Sequence, residues 1–185
     1  MSHNINTYNT NAFDVNSNQS VTIGTTQEYM CMRSDVSQYV VAPIVGAAVR
    51  IGNGNLINNL SGLTIQYDTT HTNHALAYTL SNAGTYLVNA SISFYYDYST
   101  NVYQSYTIYD NTNNVKLSNT SEHTQSNIDY PYSALLSTIV EISSTPTKIS
   151  VRCLNTNTSR IATANIPYIN GAFARTSHIT IWKLR

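Results

Sequence analysis

The chain has 185 residues, enough for one domain with a terminal segment and too few for two cores of ordinary size. Nine Lys plus Arg balance nine Asp plus Glu, and charged residues are only 10% of the chain, which argues against nucleic-acid binding and against adsorption to anionic lipid. In place of charge stand 24 Thr, 23 Asn, 21 Ser and 15 Tyr, while 42% hydrophobic content at zero net charge lies away from the composition of disordered chains.

Residues 1–29 hold six Asn and only scattered large apolar residues (Ile5, Phe13, Val15, Val21, Ile23), too few to build a core. They read as an irregular arm, and the division expected is an attachment segment over 1–37 followed by a β head over 38–185. The first residues show no basic stretch followed by an apolar one, so no signal peptide is read and synthesis in a cytoplasm is expected. The longest apolar run, 40–49, is about half the roughly 20 residues of a membrane-spanning helix and contains Pro43 and Gly46, so no membrane insertion is expected.

From Tyr39 onward the pattern is period-two alternation, and no window sustains the spacing of an amphipathic helix. Strands are expected at 39–51, 63–67, 75–80, 85–96, 103–109, 115–118, 134–142, 148–154 and 177–184. Turn chemistry separates them: Gly52-Asn53-Gly54-Asn55, Ser81-Asn82-Ala83-Gly84, the Asn-rich 110–114, Ser143-Ser144-Thr145-Pro146 and Asn155-Thr156-Asn157. In the clearest strand Tyr86, Val88, Ala90, Ile92 and Phe94 share a face, with Asn89, Ser91 and Ser93 opposite. Leu136, Val140 and Ile142 repeat this, as do Ile149, Val151 and Cys153. In the last strand Ile179 and Ile181 oppose His178, Thr180 and Trp182, and its regularity predicts a central place in its sheet. Short strands in such number predict an all-β sandwich or jelly roll. Cys31 and Cys153 are too few for a disulfide framework and read as small buried hydrophobes.

The glycine-led strand Gly84-Thr85-Tyr86-Leu87-Val88-Asn89-Ala90, an expected hairpin of 134–142 with 148–154, and the aromatic-bearing final strand Ser177-His178-Ile179-Thr180-Ile181-Trp182-Lys183-Leu184 resemble the C1q and tumour-necrosis-factor-like jelly roll. The resemblance spans about four fifths of the chain, from Tyr39 on, without a collagen stalk. It implies a homotrimer, with the chain ends on one side and variable loops outside. Phage head-fibre, decoration and tail-fibre proteins use such heads, so it also implies a structural virion protein whose arm docks on a capsid or tail. The alternative it implies is an adhesin head that recognises a receptor or glycan on a host surface.

No motif for catalysis emerges: the nine acids are dispersed, and Gly52-Asn53-Gly54-Asn55 lacks the Lys and helix of a phosphate loop, so neither an enzyme nor a cofactor is expected. The one weak metal candidate joins Asp68, His71 and His74 within a polar loop. The tyrosines crowded between 95 and 109 exceed what one sandwich core is expected to absorb. Tyr95, Tyr103, Tyr106 and Tyr109, with Trp182, are therefore the candidate trimer contacts. Neutral amides, hydroxyls and aromatic rings also suit carbohydrate.

Overall fold

A computed structural model describes residues 13–15, 21–23, 27–33, 39–41, 45–52, 56–70, 74–94, 102–125, 132–156, 160–162 and 177–185. No helix occurs among the described residues. In chain order the strands are β1 (Phe13–Val15), β2 (Val21–Ile23), β3 (Tyr29–Arg33), β4 (Tyr39–Val41), β5 (Leu56–Asn58), β6 (Leu63–Tyr67), β7 (Ala75–Leu80) and β8 (Gly84–Phe94). Then follow β9 (Val102–Asp110), β10 (Val115–Lys116), β11 (Ser121–Gln125), β12 (Tyr132–Ile142), β13 (Thr147–Thr156), β14 (Arg160–Ala162) and β15 (His178–Lys183).

Two antiparallel sheets make the jelly roll. One runs β12-β8-β15-β3-β5; the other runs β10-β9-β13-β7-β6, with β11 also on β9. Two small pairs, β1 with β2 and β14 with β4, form separate two-stranded sheets. The alternation read in the sequence is the packing: Tyr86, Val88, Ala90 and Ile92 of β8, Leu136, Val140 and Ile142 of β12, and Ile179 and Ile181 of β15 all point into the core. Facing them are Ile149, Val151 and Cys153 of β13, Tyr106 and Ile108 of β9, and Tyr78 and Leu80 of β7. Burying each large aliphatic side chain contributes about 1.5–3 kcal/mol, so period-two patterning sets both the register and the face of every long strand. β15 lies third of five in its sheet, paired with β8 and β3 on either side, the central position its regularity predicted.

Three expectations are corrected. The 39–51 stretch is not one strand: after β4, residues 45–47 turn with Gly46 at φ +83°, and only Ala48 and Ile51 make isolated bridges, to Arg152 and Ala75. The turn that interrupts it uses a left-handed backbone that glycine adopts freely. The expected hairpin does not form either, because β12 pairs with β8 and β13 with β7 and β9; residues 143–146 carry the chain from one sheet to the other. Finally, the head begins before residue 38. β3 is inserted between β15 and β5, with Met30 and Met32 buried, so residues 27–33 belong to the sandwich rather than to an arm. β5 and β11, not expected from the sequence, are short and weakly patterned.

Candidate interaction surfaces

The outward faces of the two sheets differ in chemistry. In antiparallel pairs, residues opposite each other project to the same side, so register assembles the exterior of the β8 sheet row by row. One row is Ile139, Leu87, Trp182 and Tyr29; the next is Ser137, Asn89, Thr180, Cys31 and Ile57; a third is Leu135, Ser91, His178 and Arg33. Leu135 is 73% exposed, Ile139 59% and Ile57 51%, although β-sheet exteriors in water are ordinarily polar. The Trp182 and Tyr29 rings stack at 4.7 Å between centroids with an 18° interplanar angle, so each holds the other in place on this face. In the row between the Ile139 and Leu135 rows, Ser137 Oγ donates to Asn89 Oδ1 at 2.7 Å. These two, with Ser91, Leu135 and His178, line a shallow open depression of about 290 Å³. Burial raises the thiol pKa of Cys31 within this face.

At one end of the sandwich the entering and leaving chain segments are tied together. Gln27 Nε2 donates to the Lys183 carbonyl at 2.5 Å, and Lys183 N donates to the Glu28 carbonyl at 3.0 Å. Ser61 donates from both N (3.0 Å) and Oγ (2.6 Å) to Glu28 Oε2, and Lys183 Nζ lies 3.6 Å from Oε1. The Ser61 bonds, foremost, hold the Glu28 carboxyl below its ordinary pKa. Two glycines permit this closure. A Cβ at Gly62 (φ +71°) would lie 2.5 Å from the Asn82 side chain, and one at Gly84 would lie 2.6 Å from the Arg185 carbonyl oxygen. The segment preceding residue 27 thus joins the head beside its final strand.

The exterior of the β9 sheet is polar. Tyr109 lies opposite Lys116 of β10 and Ser150 of β13, and the Arg152 guanidinium sits over its ring at 3.8 Å. Arg152 donates from Nε (3.1 Å) and Nη2 (2.5 Å) to Asn111 Oδ1, and Tyr109 Oη donates to Asn114 Oδ1 at 2.8 Å. Asn114 takes φ +59°, the left-handed turn position for which Asn substitutes for glycine.

The sequence-predicted contacts separate on this framework. Trp182 is on the β8-sheet exterior, as its alternation with Ile181 required. Tyr109 is on the opposite exterior and does not share a face with it. Tyr106 is a correction: its side chain is fully buried in the sandwich, because it points inward opposite Cys153. Together with Tyr78 and Tyr86, also fully buried, it shows that one core absorbs more tyrosine than expected. The Tyr86 hydroxyl reaches the Asn82 carbonyl at 2.8 Å and that of Tyr78 reaches Met32 Sδ at 3.4 Å. Tyr95 lies outside the described residues, and of Tyr103 only the backbone, in β9, is described. Leu135, Ile139 and Ile57 were missed, although the alternation that buries Leu136 and Val140 sets Leu135 and Ile139 outward.

Of the metal candidates, His71 lies outside the described residues. Asp68 and His74 are buried, 6% and 3% exposed. Asp68 binds the Arg50 guanidinium through Oδ2 and the Thr70 N–H through Oδ1, at 2.6 Å. Its backbone N–H donates to the His74 carbonyl at 2.8 Å. Among the described residues no group of three or more metal-ligating side chains assembles.

Neither a protein-family model nor a curated protein matches the sequence. Solved structures do. The globular domain of a zebrafish complement 1qA protein matches with a TM-score of 0.50 and 9% identity, covering 86% of this chain and 98% of that one. The Eiger TNF of S. frugiperda matches with a TM-score of 0.51 and 14% identity, covering 86% and 93%. The fold is therefore the C1q and TNF type of jelly-roll head.

Proposed function

We propose that this chain is a non-enzymatic structural protein of a virion, a homotrimeric phage head-fibre, decoration or tail-fibre head held to a capsid or tail by the residues that precede its jelly roll. The observation that carries the reading is the uncharged apolar strip Ile139-Leu87-Trp182-Tyr29, with Ile57 in the adjoining row and Leu135 one row further, on the outside of the sandwich. Contiguous exposed apolar surface of this kind marks a contact site. Identical copies suit it because its middle rows carry no charge to repel a second copy; Arg33 and His178 lie at one end and Glu141 at the other. The composition, poor in charge and rich in Asn, Ser and Thr, and the polar 1–26 segment joining the head beside its last strand support attachment to a larger particle.

Labelling purified virus particles with antibody against residues 27–185 tests the role. Decoration at one structural position is expected, and protein lacking residues 1–26 should fold yet fail to co-sediment with particles. Absence of the protein from particles would overturn the reading.

A second reading, an adhesin head that recognises host-surface glycan, is favoured by the Tyr109 and Arg152 arrangement on the other sheet, away from the proposed subunit contact.

A further inference from the structure

We propose that the exterior of the β9 sheet beside the 111–114 turn is a binding surface for acidic polysaccharide, with Lys116, Lys148 and Arg152 meeting its anionic groups and Tyr109 its sugar rings. This rests on the second reading above and gives it a site and a ligand class. The three cations are far apart in sequence, but register gathers them. Lys116 lies opposite Tyr109, Tyr109 lies opposite Ser150, and Lys148 and Arg152 are the two residues that flank Ser150 on the same side of β13. With strands about 4.8 Å apart and alternate residues about 6.8 Å apart, all three backbone positions lie within about 12 Å of Tyr109.

The patch is organised and retains unused hydrogen-bonding capacity. Asn111 accepts two of the five guanidinium N–H donors of Arg152 and fixes the group over the Tyr109 ring. A planar cation so held can present its remaining edge to a carboxylate or sulfate. Lys116 is exposed and Lys148 half-buried. Among the described residues no acidic side chain pairs with these cations: Asp110, next to Tyr109, points inward, is 4% exposed, and accepts from Thr112 N, Asn113 N and Asn113 Nδ2. Thr112, Asn113 and Asn114 stand exposed at the tip, supplying the neutral amides and hydroxyl that sugar hydroxyls pair with. Nucleic acid is a polyanion as well and is not separated by net charge; polysaccharide is favoured because the cations stand beside neutral amides and a hydroxyl and a single ring, Tyr109, in place of the several stacking platforms that single-stranded nucleic acid uses.

The test measures binding of full-length protein to polygalacturonate, dextran sulfate, neutral dextran, a single-stranded oligothymidylate and polyglutamate. Wild type should bind polygalacturonate, dextran sulfate or both, the stronger identifying carboxylate or sulfate as the preferred group, and should bind the other three weakly. Lys116→Gln with Lys148→Gln should weaken that binding about tenfold or more, as loss of two charge-assisted contacts does, and Tyr109→Leu should weaken it with the charges intact. Arg185→Gln, at the far side of the sandwich end, should leave it unchanged. Unchanged melting temperatures would establish that the variants fold. Acidic-polysaccharide binding undiminished in the double variant would overturn this site while leaving the adhesin reading standing. Binding to no polysaccharide would overturn both, and equal binding to oligothymidylate or polyglutamate would overturn carbohydrate as the ligand class.

Discussion

The two sheets share one core and turn opposite chemistries outward. Behind Ile181, Val88 and Leu136 the β8 sheet shows Trp182, Leu87, Leu135 and Ile139; behind Ile149, Val151 and Ile108 the β9 sheet shows Lys148, Arg152 and Tyr109. The inward pattern is what makes a sandwich, and it is alike in both. The outward pattern is what a sandwich is free to vary, and here it divides one face suited to copies of the chain from one suited to polar ligands.

The largest effects should come from confusing the inside with the outside. Ile181→Asp would put an unpaired carboxylate in a site with no solvent exposure and should unfold the head, costing about 4 kcal/mol or more by chemical denaturation. One residue apart on β12, Leu136→Ala should cost about 2–4 kcal/mol through the cavity it leaves. Leu135→Ala, at 73% exposure, should leave the stability of the isolated subunit within about 0.5 kcal/mol. Similar losses at both positions would erase the distinction between the faces.

Trp182→Ala should act next most strongly, and on assembly rather than folding. Removing the ring stacked on Tyr29 should raise the subunit dissociation constant about tenfold, or about 1.4 kcal/mol, with the circular dichroism of the subunit nearly unchanged. Equal loss of both signals would make Trp182 an ordinary structural residue. Cys31 offers a milder probe of the same face. Its raised thiol pKa predicts slow alkylation at pH 8, slower still in the assembled protein than in a dissociated variant; equal rates would leave Cys31 outside the contact.

The smallest effect is expected where the chain ends are tied. The Glu28 carboxyl is held below its ordinary value of 4.5, chiefly by Ser61. Its contribution is therefore complete above that value and lost as pH falls through the lowered one. Glu28→Gln should narrow the stability gap to wild type as pH drops from 6 toward 3, and a constant gap would contradict the linkage.

The sequence made the inward faces legible because burial imposes a strict period of two: Tyr86 to Ile92, Leu136 to Ile142 and Ile149 to Cys153 were each assigned to the side they occupy. Pairing partners were not legible. Residues 134–142 and 148–154 looked like a hairpin across a short turn, yet the turn crosses between sheets, a choice made by long-range packing that no local signal records. β3 was hidden because YMCMR (Tyr29–Arg33), although four of its five residues are apolar, is a short island between polar segments, and only its place beside β15 reveals it as part of the head. The tyrosine cluster misled for a related reason. Count alone could not tell Tyr106, whose ring fills the core, from Tyr109, whose ring carries Arg152, although strand parity separates them. The gathering of Lys116, Lys148 and Arg152 needed three strands in register and was invisible in a chain where cations stand singly.

The account turns on the β8-sheet exterior being the face through which copies of the chain meet. Native mass spectrometry of wild type and of the Leu135→Asn, Ile139→Asn double variant at the same micromolar concentration tests this most directly. Both residues are exposed in the single subunit, so the variant should fold. The account predicts wild type at three times the 20.5 kDa chain mass and the variant at the mass of one chain. A monomeric wild type, or a double variant as fully trimeric as wild type, would contradict it.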